Sequence, residues 1–139
     1  MRADLERFVT AQDELGTYDQ ALDELRAGRK RSHWMWFVFP QVAGLGRSPT
    51  AQHYAISGLG EARAYLAHDV LGPRLRACAQ AVTALRTRDP VAVLGPIDAM
   101  KLRSSMTLFA RADPDEALFR AVLDQFFDGV EDAATLDLL

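Results

Sequence analysis

The segment "PIDAMKLRSSMTLFA", residues 96 to 110, holds the polar groups whose spacing is best suited to gripping a ligand. On a helical wheel Ile97 and Leu108 fall on one side and Leu102, Met106 and Phe109 on the other, so this helix is apolar nearly all round and is expected to be mostly buried. Lys101, Ser104 and Ser105 share the Ile97/Leu108 side. An uncompensated buried ammonium is costly and tends to lose its proton, so Lys101 needs a carboxylate, a water-filled cavity or a bound anion. One reading makes Lys101, Ser104 and Ser105 the floor of an anion or polar-ligand pocket, with Arg103 on a neighbouring face. In the other, Lys101 snorkels to solvent and the serines bond to carbonyls one turn back.

A second group lies in "GLGRSP". Gly44 and Gly46 permit backbone geometries closed to other residues, and Gly46, Arg47 and Ser48 lead into a helix with Pro49 at its first position. Free N–H groups at such a helix start favour an anion. The pattern is neither a phosphate-binding Walker loop nor a dinucleotide fingerprint, and a plain turn before a capped helix explains it equally. The third group is the aromatic run "HWMWFVF". Its side chains cannot all face one way, so most are assigned to the core, while Trp36 is placed to stack on a base or sugar ring. About fifty residues separate the glycine turn from Lys101, and nothing in the sequence says that they meet.

Proton transfer, if the site is catalytic, falls to His53 or Glu61. Lys101 could pair with Glu61, Asp128 or Asp132, although Gly129 reads as a helix stop and Asp132 as the next cap. The histidines are His33, His53 and His68, without zinc-ligand spacing, and there is no serine elbow. No metal and no cofactor are expected.

The elements that must position these groups read as helices. "DLERFVTAQ" aligns Leu5, Phe8 and Val9. "TYDQALDELRAG" opens with Thr17 and Gln20 in capping-box spacing, aligns Tyr18, Leu22 and Leu25, and stops at Gly28. Ser48-Pro49, Asp89-Pro90 and Asp113-Pro114 read as three helix starts. Leu71, Leu75, Cys78, Val82 and Leu85 form an apolar stripe on a helix of about four turns, with Cys78 as a small buried side chain. The aromatic run reads as helix or irregular turn, because nothing else in the chain alternates with period two. The expected fold is all-α, one compact domain over residues 1–139 with about seven or eight short-to-medium helices.

Composition bounds the partners. The chain has 139 residues, 49% of them hydrophobic and 25% charged, enough apolar content for a core of its own. A net charge of −3 disfavours nucleic acid, which would require arginines 26, 29 and 31 to join Lys30 in one basic stripe. Lys30 and Lys101 are the only lysines. With a single cysteine, no signal-like N-terminus and no membrane-length apolar run, the expected setting is the cytoplasm, away from membranes.

Nearly end to end, through "RFVTAQ", "ALDELRAGRKRSHWMWFVFPQVAGLGRSP", "EARAYLAHDVLGPRL", "KLRSSMTLF" and "FFDGVEDAATLDLL", the chain resembles a family of bacterial and fungal helical proteins known as domain of unknown function 1810, some members of which carry the label calpastatin. The resemblance implies an all-α single domain and carries over no reaction. The calpastatin label implies nothing here, since an inhibitor segment of that sort is polar and disordered. In "SPTAQHYAISGLGEARAYL" the chain is similar, more loosely, to helical proteins that process NAD- and ADP-ribose-related nucleotides, with no catalytic residue transferred. Two functions are therefore expected as alternatives. The first is binding of a small phosphate-bearing or nucleotide-like anion, an ADP-ribose derivative among them, with or without catalysis. The second is a non-catalytic protein-interaction module with no small-molecule site, in which Lys101 is closed off by an internal carboxylate and an apolar patch is exposed elsewhere.

Overall fold

The structure, a computed structural model, describes residues 4–139. Among them are ten α-helices, one 3₁₀ turn and no strand: α1 Glu6–Asp13, the 3₁₀ turn Glu14–Gly16, α2 Thr17–Ala27, α3 Met35–Val38, α4 Pro49–His53, α5 Leu59–Ala67, α6 Leu71–Thr83, α7 Pro90–Leu94, α8 Pro96–Ala112, α9 Ala117–Phe127 and α10 Ala133–Asp137. The count runs above seven or eight because four of the helices, α3, α4, α7 and α10, are single turns that no apolar period announces; α4, α7 and α10 are marked only by their caps. A lone parallel bridge between Val42 and Ile56 pins the loop after α3 to the loop after α4. No helix among the described residues is long and apolar enough to cross a membrane.

Helix α8 is the axis of the fold. It packs on α5, α7, α9 and α10, and its Leu102, Met106, Leu108 and Phe109 are fully buried. Helix α6 lies against α2, α5 and α9 through the expected stripe, with Leu71, Leu75, Cys78 and Val82 buried. Phe109 contacts the rings of Tyr65 and Phe119, and Tyr65 meets Phe8 edge-on, so one aromatic chain links α1, α5, α8 and α9.

Of the helix ends expected from the sequence, two differ in the structure. Ser48, Asp89 and Asp132 each accept backbone N–H groups in the first turn of α4, α7 and α10. Gly28 closes α2 in the left-handed conformation at φ 78°, where a side chain would be strained. Thr17, however, is already inside α2. The cap position belongs to Gly16, at φ 68°, and the Thr17 hydroxyl donates back to the Glu14 carbonyl. Asp113 ends α8 rather than starting α9; Pro114 and Asp115 form a turn, and α9 begins at Ala117. A proline at the first helical position and a proline just past a helix end look alike in sequence, and here the second applies.

Candidate functional site

Glu24 organises the approach to the aromatic run. It lies on the buried side of α2, and its carboxylate accepts four hydrogen bonds: from Arg31 N at 2.7 Å, Ser32 N at 3.1 Å, Ser32 Oγ at 2.7 Å and the Trp34 indole Nε1 at 2.9 Å. Burial by itself would raise the pKa of this carboxyl, but the four donors together outweigh it and hold the group at about 2. The loop after Gly28 is thereby wound around a single anion. Its backbone is tied to α7 as well, Lys30 N donating to Val93 O at 2.8 Å.

That winding carries Lys30 onto the start of α8. The Lys30 ammonium sits 2.9 Å from Asp98 Oδ2, donates to Ser32 O at 2.5 Å, and lies 5.1 Å from the ring centre of Trp34. Lys101 approaches the same carboxylate from the next turn of α8, with Nζ 3.5 Å from Asp98 Oδ1, and stands 4.7 Å over the ring of Trp36. The two lysines of the chain thus share one aspartate, each over its own indole. Such cation–ring contacts contribute about 0.5–2 kcal/mol, more when desolvated.

The aromatic run divides as the residues require. Trp34, Met35, Val38 and Phe39 are buried, whereas Trp36 and Phe37 are only half-buried, so Trp36 is the tryptophan that borders solvent. Lys101 is partly exposed, 21% of its side chain being accessible, against 9% for Lys30.

Of the residues singled out in sequence, Trp36 and Lys101 come together. Ser105, one turn beyond Lys101 on the same face of α8, is fully buried and its hydroxyl has no hydrogen-bond partner in the structure. Ser104 turns elsewhere, donating to Met100 O at 3.1 Å and to Asp132 Oδ2 at 3.2 Å. Gly46, Arg47 and Ser48 form a turn with local duties. A Cβ at Gly46 would fall 2.4 Å from that of Ala51, Arg47 O accepts from Gln52, and Ser48 caps the five-residue α4. No hydrogen bond or ion pair joins this turn to Lys101.

His53 and Glu61 meet around Arg7. The Arg7 guanidinium donates to His53 O at 2.9 Å and to Ala55 O at 2.8 Å, and pairs with Glu61 at 3.3 Å, while Glu61 also accepts from Ser57 N. Only the carbonyl of His53 takes part, so these groups fasten the loop between α4 and α5. Neither is bonded to Lys101 or Trp36. The carboxylate partner of Lys101 is Asp98, not Glu61, Asp128 or Asp132; Asp128 lies instead 3.9 Å from Arg88, and Asp132 caps α10. Among the described residues no group of three His, Cys, Asp or Glu side chains could hold a metal ion.

A model of a family described as "Protein of unknown function (DUF1810)" matches residues 2–139. The chain belongs to this family. Among solved structures, the crystal structure of the conserved hypothetical protein Rv1873 from Mycobacterium tuberculosis, at 1.38 Å, is similar: 54% identity over 98% of this chain and 96% of that one, with a TM-score of 0.94. No curated protein matches the chain.

The other polar face of α8 in this DUF1810 chain belongs to the C-terminal segment. Arg103 donates to the carbonyls of Val130 and Glu131, Thr107 Oγ1 accepts from Asp132 N at 2.9 Å, and Arg111 grips Glu131 through two bonds of 2.7 and 2.8 Å. Arg120 reaches the same carboxylate at 3.6 Å. The Arg111 fork holds the Glu131 carboxyl below the usual carboxylate range. A groove of about 710 Å³ between α8 and α9 is lined in part by Arg111, Glu116, Arg120 and Asp124. Its arginines are already tied to Glu131 and its rim is of mixed sign, so it presents no surplus charge. The Lys30–Asp98–Lys101 cluster instead sets a partly exposed ammonium over a half-buried indole, and that distinguishes it as the candidate site.

Proposed function

We propose that this DUF1810 protein binds a small phosphate-bearing, nucleotide-like metabolite at the cluster of Trp36, Asp98 and Lys101, with Lys30 behind it. An ADP-ribose derivative is one form such a ligand takes. The observation that supports this reading is that the partly exposed Lys101, 3.5 Å from an aspartate it shares with Lys30, stands over a half-buried indole. An anion gives the Lys101 ammonium a closer partner than Asp98, and the uncovered edge of Trp36 offers a flat apolar contact for a ring. Ser105 adds an unused hydroxyl one turn deeper. The one cysteine, free and buried, suits a reducing cytoplasmic setting.

The test is thermal unfolding in the presence of inorganic phosphate, AMP, NAD and ADP-ribose, for the wild type and for Lys101→Met. A ligand at a hundredfold its Kd adds ~2.7 kcal/mol to stability, a shift easily read in Tm. The expected outcome is a shift with at least one phosphate compound that disappears in Lys101→Met. A folded variant that responds like the wild type overturns the assignment.

A specific observation favours a second reading, the interaction module. Ile97 and Met100, three residues apart on α8, are 70% and 69% exposed, against the expectation that Ile97 is buried. Asp98 is also the internal carboxylate which that reading requires for Lys101. Absence of any ligand response, together with self-association or partner binding lost in Ile97→Lys, would favour it.

A further inference from the structure

Helix α2 carries charge of opposite sign at its two ends. Asp13, Glu14 and Asp19 lie before and just inside its start, and Arg26, Arg29 and Arg31 lie at and beyond its finish, all of them exposed. Lys30 does not join these arginines, because it turns inward to Asp98. Asp13 pairs with Arg74 at 2.8 Å, but among the described residues no ion pair engages Glu14, Asp19, Arg26, Arg29 or Arg31. About 16 Å of helix separates the two ends, more than the Debye length of about 8 Å at physiological salt, so neither neutralises the other within one molecule.

Each end also carries an apolar feature. At the acidic end Leu15, in the turn between α1 and α2, is 95% exposed, the most exposed large apolar side chain among the described residues. Its backbone is left-handed at φ 53°, a conformation that disfavours leucine and that glycine or asparagine takes readily. The fold thus holds a leucine at a position where its side chain packs on nothing. At the basic end α2 and α6 finish together, with Gly28 beside Leu85. A groove of about 300 Å³ opens there, floored by Ala77, Ala81, Ala84 and Leu85 and edged by Arg26 and Gln80. It exceeds the cavity of about 150 Å³ that loss of a leucine side chain leaves in a protein core, so a leucine fits in it.

We infer that the chain associates head to tail with a second copy of itself, the Leu15 turn of one copy seated in the α2–α6 groove of the next. Leu15 fills the apolar floor, while Glu14 and Asp19 meet the arginines around Arg26. Two different patches are joined, so the association extends into a chain or closes into a ring. One leucine turn and one groove bury less than the about 1,200 Å² of a stable complex, which makes the contact weak and sensitive to salt. The inference does not depend on the ligand reading above.

Sedimentation velocity on the full chain, at concentrations up to about 1 mM and at low and high salt, tests it. The average mass of the wild type is expected to rise with concentration at low salt and to return to that of one chain at high salt. Leu15→Asn suits the left-handed backbone but removes the apolar knob, and Arg26→Glu reverses the charge at the groove; each is expected to weaken association at least about tenfold. An equal mixture of the two variants is expected to form a dimer that grows no further, because the intact groove of the first receives the intact Leu15 turn of the second. A wild type that stays monomeric throughout, variants that associate as the wild type does, or a mixture that stays monomeric where the wild type associates overturns the inference. Association that only Ile97→Lys abolishes overturns it too, since it belongs to the other exposed face. The wild-type series needs no substitution, so a variant that fails to fold leaves the test standing.

Discussion

The indole Nε1 of Trp34 donates to Glu24 Oε1 at 2.9 Å, so a carboxylate on α2 orients the largest fully buried side chain of the protein. The same anion gathers Arg31 and Ser32, and through them sets where Lys30 points.

Glu24 is therefore expected to make stability acid-sensitive. Its folded pKa of about 2 lies below the ordinary carboxylate value, so its contribution is fully present above the unfolded pKa and is lost as pH falls from about 4.5 toward 2. The shift corresponds to about 3 kcal/mol at neutral pH. Glu24→Gln should lower stability by that order and flatten this part of the pH profile, as measured by denaturant unfolding at pH 7 and at the lowest pH where the chain stays folded. A variant whose stability falls with pH as steeply as the wild type would refute the role.

Ser105→Ala should leave the ligand-free protein as stable as before or raise its stability by up to about 1 kcal/mol, since a buried hydroxyl without a partner is a cost that alanine removes. Equilibrium unfolding in urea reads this directly. A loss above about 1 kcal/mol would mean that the hydroxyl is bonded after all.

Asp132 joins the cap of α10 to α8, accepting from Thr135 N at 3.0 Å, Thr135 Oγ1 at 2.6 Å and Ser104 Oγ at 3.2 Å. Asp132→Ala should cost about 1–2 kcal/mol. Hydrogen exchange should quicken first in the amides of 133–138, before any change in α6. Uniform loosening of both would place the cap on the global unfolding path instead.

Cys78 is fully buried, and desolvation pushes its thiol up to about 12. A thiol reagent at pH 8 is expected to label the native chain at least about a hundredfold more slowly than the chain in denaturant, because the thiolate is the reacting form. Fast native labelling would show that α6 opens locally.

Much of this fold was legible in the residues because the signals are local. Gly28, Ser48, Asp89 and Asp132 act within one turn of themselves, and Leu71 to Val82 carry their own period. That Lys101 needs a carboxylate, a water-filled cavity or a bound anion was readable too, but not which. Asp98 lies only three residues away, an acid in the first turn of the same helix, where nothing in sequence marks it as the partner. Glu24 was hidden for a different reason. On α2 it is one more charged residue until the loop after Gly28 folds back to surround it, and Lys30 became relevant only through that return. Asp113 misled because proline follows helices as readily as it starts them.

Both lysines of the chain lie in the shared-aspartate cluster, one in a loop wound around Glu24 and one in the middle of the packed α8. A lysine-specific protease therefore finds both of its cleavage points inside ordered structure. Peptide-bond hydrolysis needs an extended backbone, so cutting after Lys101 must wait for α8 to unravel, whereas cutting after Lys30 needs only the loop to let go. The order in which the two cuts appear becomes a clock for the molecule, separating the opening of the candidate site from the collapse of the whole fold.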